Sequence, residues 1–453
     1  MVIAIICLVV LTTMVATGYN VKPSDDGLIE RTGLVAIQSL PTGANITIDG
    51  DDVFGWTNLS RSMTQGEHEV VLSKDGYEAW SKTINVTAGL YYRLNYPRLF
   101  LKERIIEKLE DFSEIERVSF AKDGNLMLAI PKESLKWQIW KINEEKPSMT
   151  ELNLSKAFPE ADIALFGGVE IEAWSGNSQK VLMKLQNGQW ILIDVKDVEK
   201  SVNLSEKFGM EFSSVKIAND SASELYVLEK NNLRSIDIDG DKISGILIEN
   251  VESFFNMKSN LVYVTIPNEK HEFETGFYSK SDKERIVLSQ SAFDEEKPKI
   301  AMTIGEYYGE YYVLEFVNDQ VGIYSGGKLP SSNNKDALKP VLVEEIGFVP
   351  ELVDVMGNGG LFVAENGLER AIFDVETMKL KKYSSESEAT WLDEFMLYEN
   401  KDGQLVVTDF DGENKVEIAD GMKIGSKVKI SKNNKWIYFV DAENKLSRVK
   451  IME

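Results

Sequence analysis

Two histidines, His68 and His271, and one cysteine, Cys7, are all the imidazole and thiol that 453 residues carry. A Ser-His-Asp relay needs an imidazole beside its nucleophile, and a structural zinc site needs about four Cys or His ligands. Those chemistries lack their parts. Carboxylates are plentiful: 73 Asp and Glu stand against 50 Lys and Arg, a formal net charge of −23. Paired carboxyls do acid–base work on glycosidic bonds, so that class of catalysis stays open. Asp237-x-Asp239-Gly240-Asp241 has the opening spacing of a calcium loop, but such a loop needs Gly at its sixth position and Glu at its twelfth. Lys242 and Ile248 stand there, and a polar hairpin turn is expected instead. Neither a Gly-x-Ser-x-Gly elbow nor a Gly-rich phosphate loop occurs, and no metal or cofactor is expected. The most unusual cluster is Tyr307-Tyr308-Gly309-Glu310-Tyr311-Tyr312. Aromatic side chains anchor partners or stack on sugars, although strand alternation would bury half of these. Tyr307, Tyr308, Tyr311 and Tyr312 are therefore the candidate partner contacts.

Those residues hang on a chain whose first nineteen positions, Met1 to Tyr19, carry no charge and include nine Val, Ile or Leu. As a helix that stretch is about 28 Å long, close to the hydrocarbon thickness of a bilayer. No basic residue precedes it, so an uncleaved transmembrane signal anchor over 1–19 is expected rather than a processed leader. A polar linker, 20–32, follows. The acidic remainder repels nucleic acid and anionic headgroups, which argues against nucleic acid as a partner.

From residue 33 the pattern alternates with period two. Val35, Ile37 and Ser39 lead to the turn Pro41-Thr42-Gly43-Ala44, and Ile46 and Ile48 lead to Asp49-Gly50, a hairpin signal. His68, Val70 and Leu72 follow Gly66, then Gly76-Tyr77 turns the chain into Trp80, Ile84 and Val86. The spacing predicts a small β-sandwich over 33–98. This run resembles the PEGA domain family, with Thr42 where the family name has Glu. The resemblance implies a non-catalytic β module of the kind found on extracytoplasmic bacterial and archaeal proteins, acting as a binding or spacer unit.

Residues 99–453 repeat. Segments such as Ile191-Leu-Ile-Asp194, Ala371-Ile-Phe-Asp374 and Val406-Val-Thr-Asp409 each end in a turn and a further strand. Hairpins open the units near Val118, Ile171, Val215, Val251, Ile300, Leu352, Ala389 and Val428, at intervals expected of four-stranded propeller blades. The last unit is one strand short, and the segment 99–106 is expected to supply it and close the ring. An all-β chain follows: a transmembrane helix, the sandwich, and a β-propeller of eight blades, with seven as the alternative. Ala121-Lys-Asp-Gly124 is similar to the Ser-Pro-Asp-Gly of WD-like repeats of the TolB type. The boxes of sialidase propellers and the appended hydrolase domain of peptidase propellers are missing.

Two functions are weighed. One is a non-catalytic, membrane-anchored, extracytoplasmic binding or scaffold protein of the cell envelope, meeting a protein or polysaccharide through the propeller face. The other is an envelope glycan hydrolase or lyase using Asp/Glu pairs in the propeller channel.

Overall fold

A computed structural model describes residues 19–453, apart from 25–26, 160–162, 258–259, 271, 281–282, 293–297, 332–333, 335 and 385–388. Residues 1–18 of the expected anchor, with Cys7, and also His271 lie outside the described residues. Among the described residues no helix is long and apolar enough to cross a membrane.

Strands β1 (Tyr19–Ser24) and β2 (Gly27–Ile37) pair as an antiparallel hairpin, so most of the segment read as a linker is strand. β2 continues into a sandwich built with β3 (Asn45–Ile48), β4 (Asp51–Trp56), β5 (Leu59–Thr64), β6 (Gly66–Ser73), β7 (Trp80–Val86) and β8 (Tyr91–Leu94). One sheet joins β1, β2 and β5, with β8 parallel to β2; the other has the order β4-β3-β6-β7. The Asp49-Gly50 turn has positive φ at both residues, 53° and 87°, which is why Gly follows Asp there. In β7 every second residue is buried: Trp80, Lys82, Ile84 and Val86. Lys82 is the discordant member of that row.

The chain then runs through β9 (Ile106–Asp111) into eight successive four-stranded antiparallel sheets, numbered 1 to 8 in chain order. Their first strands are Ile115–Phe120, Glu170–Trp174, Ser214–Ile217, Val251–Met257, Ile300–Tyr307, Leu352–Met356, Ala389–Trp391 and Lys429–Ile430. Each expected unit start falls in or beside one of these. The reason is that the buried strands are continuous apolar runs, whereas the turns between them are polar.

Each neighbouring pair of sheets buries its own apolar cluster. Val181 and Met183 meet Leu128 and Trp137 between sheets 1 and 2, and Tyr312 meets Phe362 and Phe373 between sheets 5 and 6. The circle closes where Trp436 and Tyr438 of sheet 8 pack on Met127 and Trp140 of sheet 1. There Gly124 has φ 68°, and a Cβ on it would lie 2.4 Å from the Ile430 carbonyl oxygen. The result is a closed, propeller-like ring.

Sheet 8 is completed by β9, which pairs antiparallel with Lys445–Lys450. Closure from the leading segment agrees with expectation, but the strand lies later than 99–106. Leu99 and Phe100 are buried in the core shared with the sandwich, and the Leu101 N–H donates to the Ile451 carbonyl at 3.0 Å. Those residues are spent on the junction before the strand begins. A second difference concerns the further strand expected after Ile191-Leu-Ile-Asp194, which falls at Val202-Asn203-Leu204. Only Val202–Asn203 is strand; the Asn203 side chain caps the helix Leu204–Phe208, accepting from the Glu206 N–H at 3.2 Å, and Gly209 ends it at φ 61°.

Candidate functional site

In an antiparallel four-stranded sheet, the turns after the first and third strands share one end, and the turn after the second faces the other way. Among the described residues, polar ties from the sandwich reach the first kind of turn in sheets 5 to 8, and the Tyr77 hydroxyl accepts from the Glu453 N–H at 3.2 Å. The sandwich thus caps one face of the ring, and a single apolar core runs from Val35, Ile46 and Trp80 to Leu405, Val407, Phe439 and Ile451.

Sheet 7 supplies the centre of this junction. Asp409 ends a buried strand whose equivalents end in Asp194 and Asp374, and those two accept N–H bonds from their own turns. Asp409 differs. Its Oδ2 accepts from the Trp80 indole N–H at 2.8 Å and from the Asn414 amide at 2.8 Å. Asn414 also bonds both the N–H and the C=O of Ser81, each at 3.0 Å. The Lys82 ammonium binds Asp411 and lies 3.2 Å from Glu413, and Lys381 binds Asp411 at 2.9 Å. Tyr96 stacks against Phe395, and its ring centroid lies 5.2 Å from that of Phe410. Arg98 pairs with Asp393 at 2.7 Å.

Burial sets the protonation here. It pushes the Asp409 carboxyl up to about 7, against the opposing pull of Lys82. Burial likewise raises Asp374 and the Tyr96 phenol. Burial acts the same way on Asp411, but Lys82 and Lys381 outweigh it and hold that carboxyl below its ordinary value.

The tyrosine cluster lies at the same junction. Tyr307 ends the first strand of sheet 5, and its hydroxyl donates to Glu376 Oε1 at 2.5 Å. Glu376 also pairs with Arg93 of β8 at 2.9 Å. Tyr308 sits in the turn at φ 48° with the Arg93 guanidinium 3.8 Å from its ring centroid. Tyr312 is buried against Phe362 and Phe373, and Tyr311 is half-buried opposite Glu306. The structure thus brings Tyr307 and Tyr308 to the sandwich and Tyr312 into the ring. Replacing Tyr307 with Phe is expected to cost about 1–2 kcal/mol, since a partly buried carboxylate loses a donor. Chemical denaturation would show it, and an unchanged midpoint would mean that the bond is not stabilising.

In the sequence Asp409 and Asp411 belong to a repeated strand end and turn, and neither they nor Lys82 and Asn414 stand out as a site. Lys82 carried a signal: it shares the apolar phase of Trp80, Ile84 and Val86, where a charge needs a buried partner.

The opposite face lies away from the sandwich. There the connection 423–427 between sheets 7 and 8 and the first strands of sheets 1 and 2 surround a cavity of about 450 Å³. Its wall is mixed: Ile115 and Ile171 with Glu116 and Glu170 on one side, Lys423 and Lys427 on the other. Ile424 stands at its rim, 80% exposed. Asp237-x-Asp239-Gly-Asp241 forms the expected turn, with the Gly240 N–H donating to Asp237 at 2.9 Å. Among the described residues no group of three His, Cys, Asp or Glu is arranged to hold a metal ion.

Residues 32–98 match the PEGA domain model. The chain therefore carries a PEGA domain followed by a propeller-like ring. Two solved structures have a related shape. The β-propeller domain of Cps50 (Swd1) from Myceliophteria thermophila has 11% identity and a TM-score of 0.42, over 70% of this chain and 97% of that one. An oligogalacturonate lyase in complex with manganese has 12% identity and a TM-score of 0.41, over 78% of this chain and 98% of that one. Neither bears on what this chain binds. No curated protein matches it in sequence.

Proposed function

We propose that this chain is a non-catalytic binding or scaffold protein of the cell envelope. It is anchored by residues 1–19, with its acidic bulk outside the cytosol, and its eight sheets act as a WD-like propeller of the TolB type. The observation that carries the reading is the one-sided docking of the PEGA domain. One face of the ring is consumed by a buried junction, and the other presents a walled cavity with an exposed apolar rim at Ile424. An exposed aliphatic ringed by charges of both signs suits a protein or polysaccharide partner. The carboxyls that burial raises, Asp374 and Asp409, lie at or beside the PEGA junction, away from that cavity, which favours binding over glycan cleavage.

Photo-crosslinking in intact cells from position 424, followed by mass spectrometry, tests the face. A reproducible partner is expected, with capture from a neighbouring site falling at least tenfold in Ile424→Asp. Turnover of an envelope glycan library without any captured partner would favour the enzyme. Location has its own test. Phe54 on β4 is 99% exposed, so Phe54→Cys combined with Cys7→Ala is expected to react with an impermeant maleimide in intact cells. Protection until lysis would place the bulk of the chain inside.

A further inference from the structure

We propose that the PEGA–ring junction is a proton-operated clamp, tight while the Asp409 carboxyl is protonated and loosened once it ionises. The argument begins with a charge count. The group around Asp409 comprises three carboxyls, Asp409, Asp411 and Glu413, and two ammonium groups, Lys82 and Lys381. Both cations are committed elsewhere: Lys82 contacts Asp411 and Glu413, and Lys381 contacts Asp411. Asp409 is 1% exposed and touches no cation; two neutral donors, Trp80 and Asn414, hold its Oδ2. With a proton on Asp409 the group is balanced, two negative charges against two positive. Without it a third negative charge sits in a nearly dry interface.

Among the described residues no neighbouring element adds an uncommitted cation. From β7 the facing groups are Trp80 and Lys82, and from the connector after β8 the partly buried Tyr96. From the same turn they are Asp411, Glu413 and Asn414. Sheet 6 contributes Lys381 and Tyr383, whose hydroxyl donates to the Phe410 carbonyl at 2.7 Å. Beyond these lie Asp374 and the Arg93–Glu376 pair, which add one further carboxyl and no free cation. Among the described residues the cation that acts most strongly on Asp409 is the already shared Lys82.

The sign follows from proton linkage. A carboxyl that binds its proton more tightly when docked favours docking fully below its ordinary value, near 4. That preference is lost as pH rises towards 7, where the docked carboxyl itself ionises, and it stays lost above. The opening equilibrium therefore rises about tenfold per pH unit between roughly 5 and 7 and then levels off.

The Ser81 N–H is donated to Asn414 and the Arg93 N–H to Glu376, so these two amides report the junction directly. Hydrogen exchange of the detergent-solubilised full chain, read at residue resolution and corrected for intrinsic exchange, is expected to show that rise at both. Asp409→Asn keeps an acceptor and cannot ionise, so its profile is expected to be flat over this range. Lys381→Met alters a half-exposed side chain and removes one cation, so the levelling-off is expected at higher pH. A flat wild-type profile, or the same slope in Asp409→Asn, would overturn the clamp, as would a plateau that Lys381→Met leaves in place.

Discussion

Replacing Trp80 with Ala is expected to cost about 3–5 kcal/mol and to uncouple the PEGA domain from the ring. The indole is 1% exposed, lies 6.0 Å edge-on from Tyr96, and gives Asp409 one of its two donors. Truncation leaves a cavity in the core that spans both units and strips a buried carboxyl of a partner. Because that core is continuous, wild-type protein is expected to unfold in a single calorimetric transition. In Trp80→Ala the PEGA domain would melt first, as a separate, lower transition. Trp80→Phe fills most of the space without an N–H, so a smaller loss of about 1–2 kcal/mol is expected. A single transition close to the wild-type temperature in Trp80→Ala would show that the indole does not bind the two units together.

Breaking the closing strand is expected to be as damaging. β9 is the fourth strand of sheet 8, and without it the strand Lys445–Lys450 has an open edge. Adjacent backbone N–H groups in a strand point in opposite directions. Prolines at both Glu107 and Lys108, which face Arg448 and Ser447 in regular register, must therefore delete a ladder bond whichever residue donates. A loss of at least about 3 kcal/mol is expected, together with association through the exposed edge. Light scattering and denaturation would measure these. A monomer of unchanged stability would mean that the ring does not depend on β9. The strand is held by side chains as well: the Arg448 guanidinium lies 3.7 Å from the Trp436 ring centroid and pairs with Glu107 at 2.7 Å.

The two expectations draw on different layers of the molecule. Strand positions in the ring were legible because local patterning carries them. A buried strand such as Trp436–Val440 is apolar throughout, Trp190–Asp194 is apolar up to its closing Asp, and Asp or Asn with Gly turns the chain between strands. Eight repeats of that pattern, with one strand missing at the end, imply a count and a closure. The PEGA sandwich was legible in the same way, through period-two alternation ending at glycine turns. What misled was competition at segment ends. Leu99 and Phe100 look like strand residues because they are apolar, but the junction core takes them. Leu204 looks like the end of a strand, but the Asn203 cap and Gly209 make a helix locally cheaper.

The junction itself could not be read from one dimension. Trp80 and Asp409 are 329 residues apart, and neither Lys82 nor Asp411 belongs to a local motif. By itself the amino-acid order determined the two modules, the strand pattern of the ring, and the excluded chemistries, all of which depend on neighbours in sequence or on composition. Tertiary structure alone decided which face the PEGA domain covers, that Tyr307 and Tyr308 meet Arg93 there, and that Asp409 is buried without a cation. Those outcomes depend on which surfaces exclude water together, and burial is a property of the packed whole.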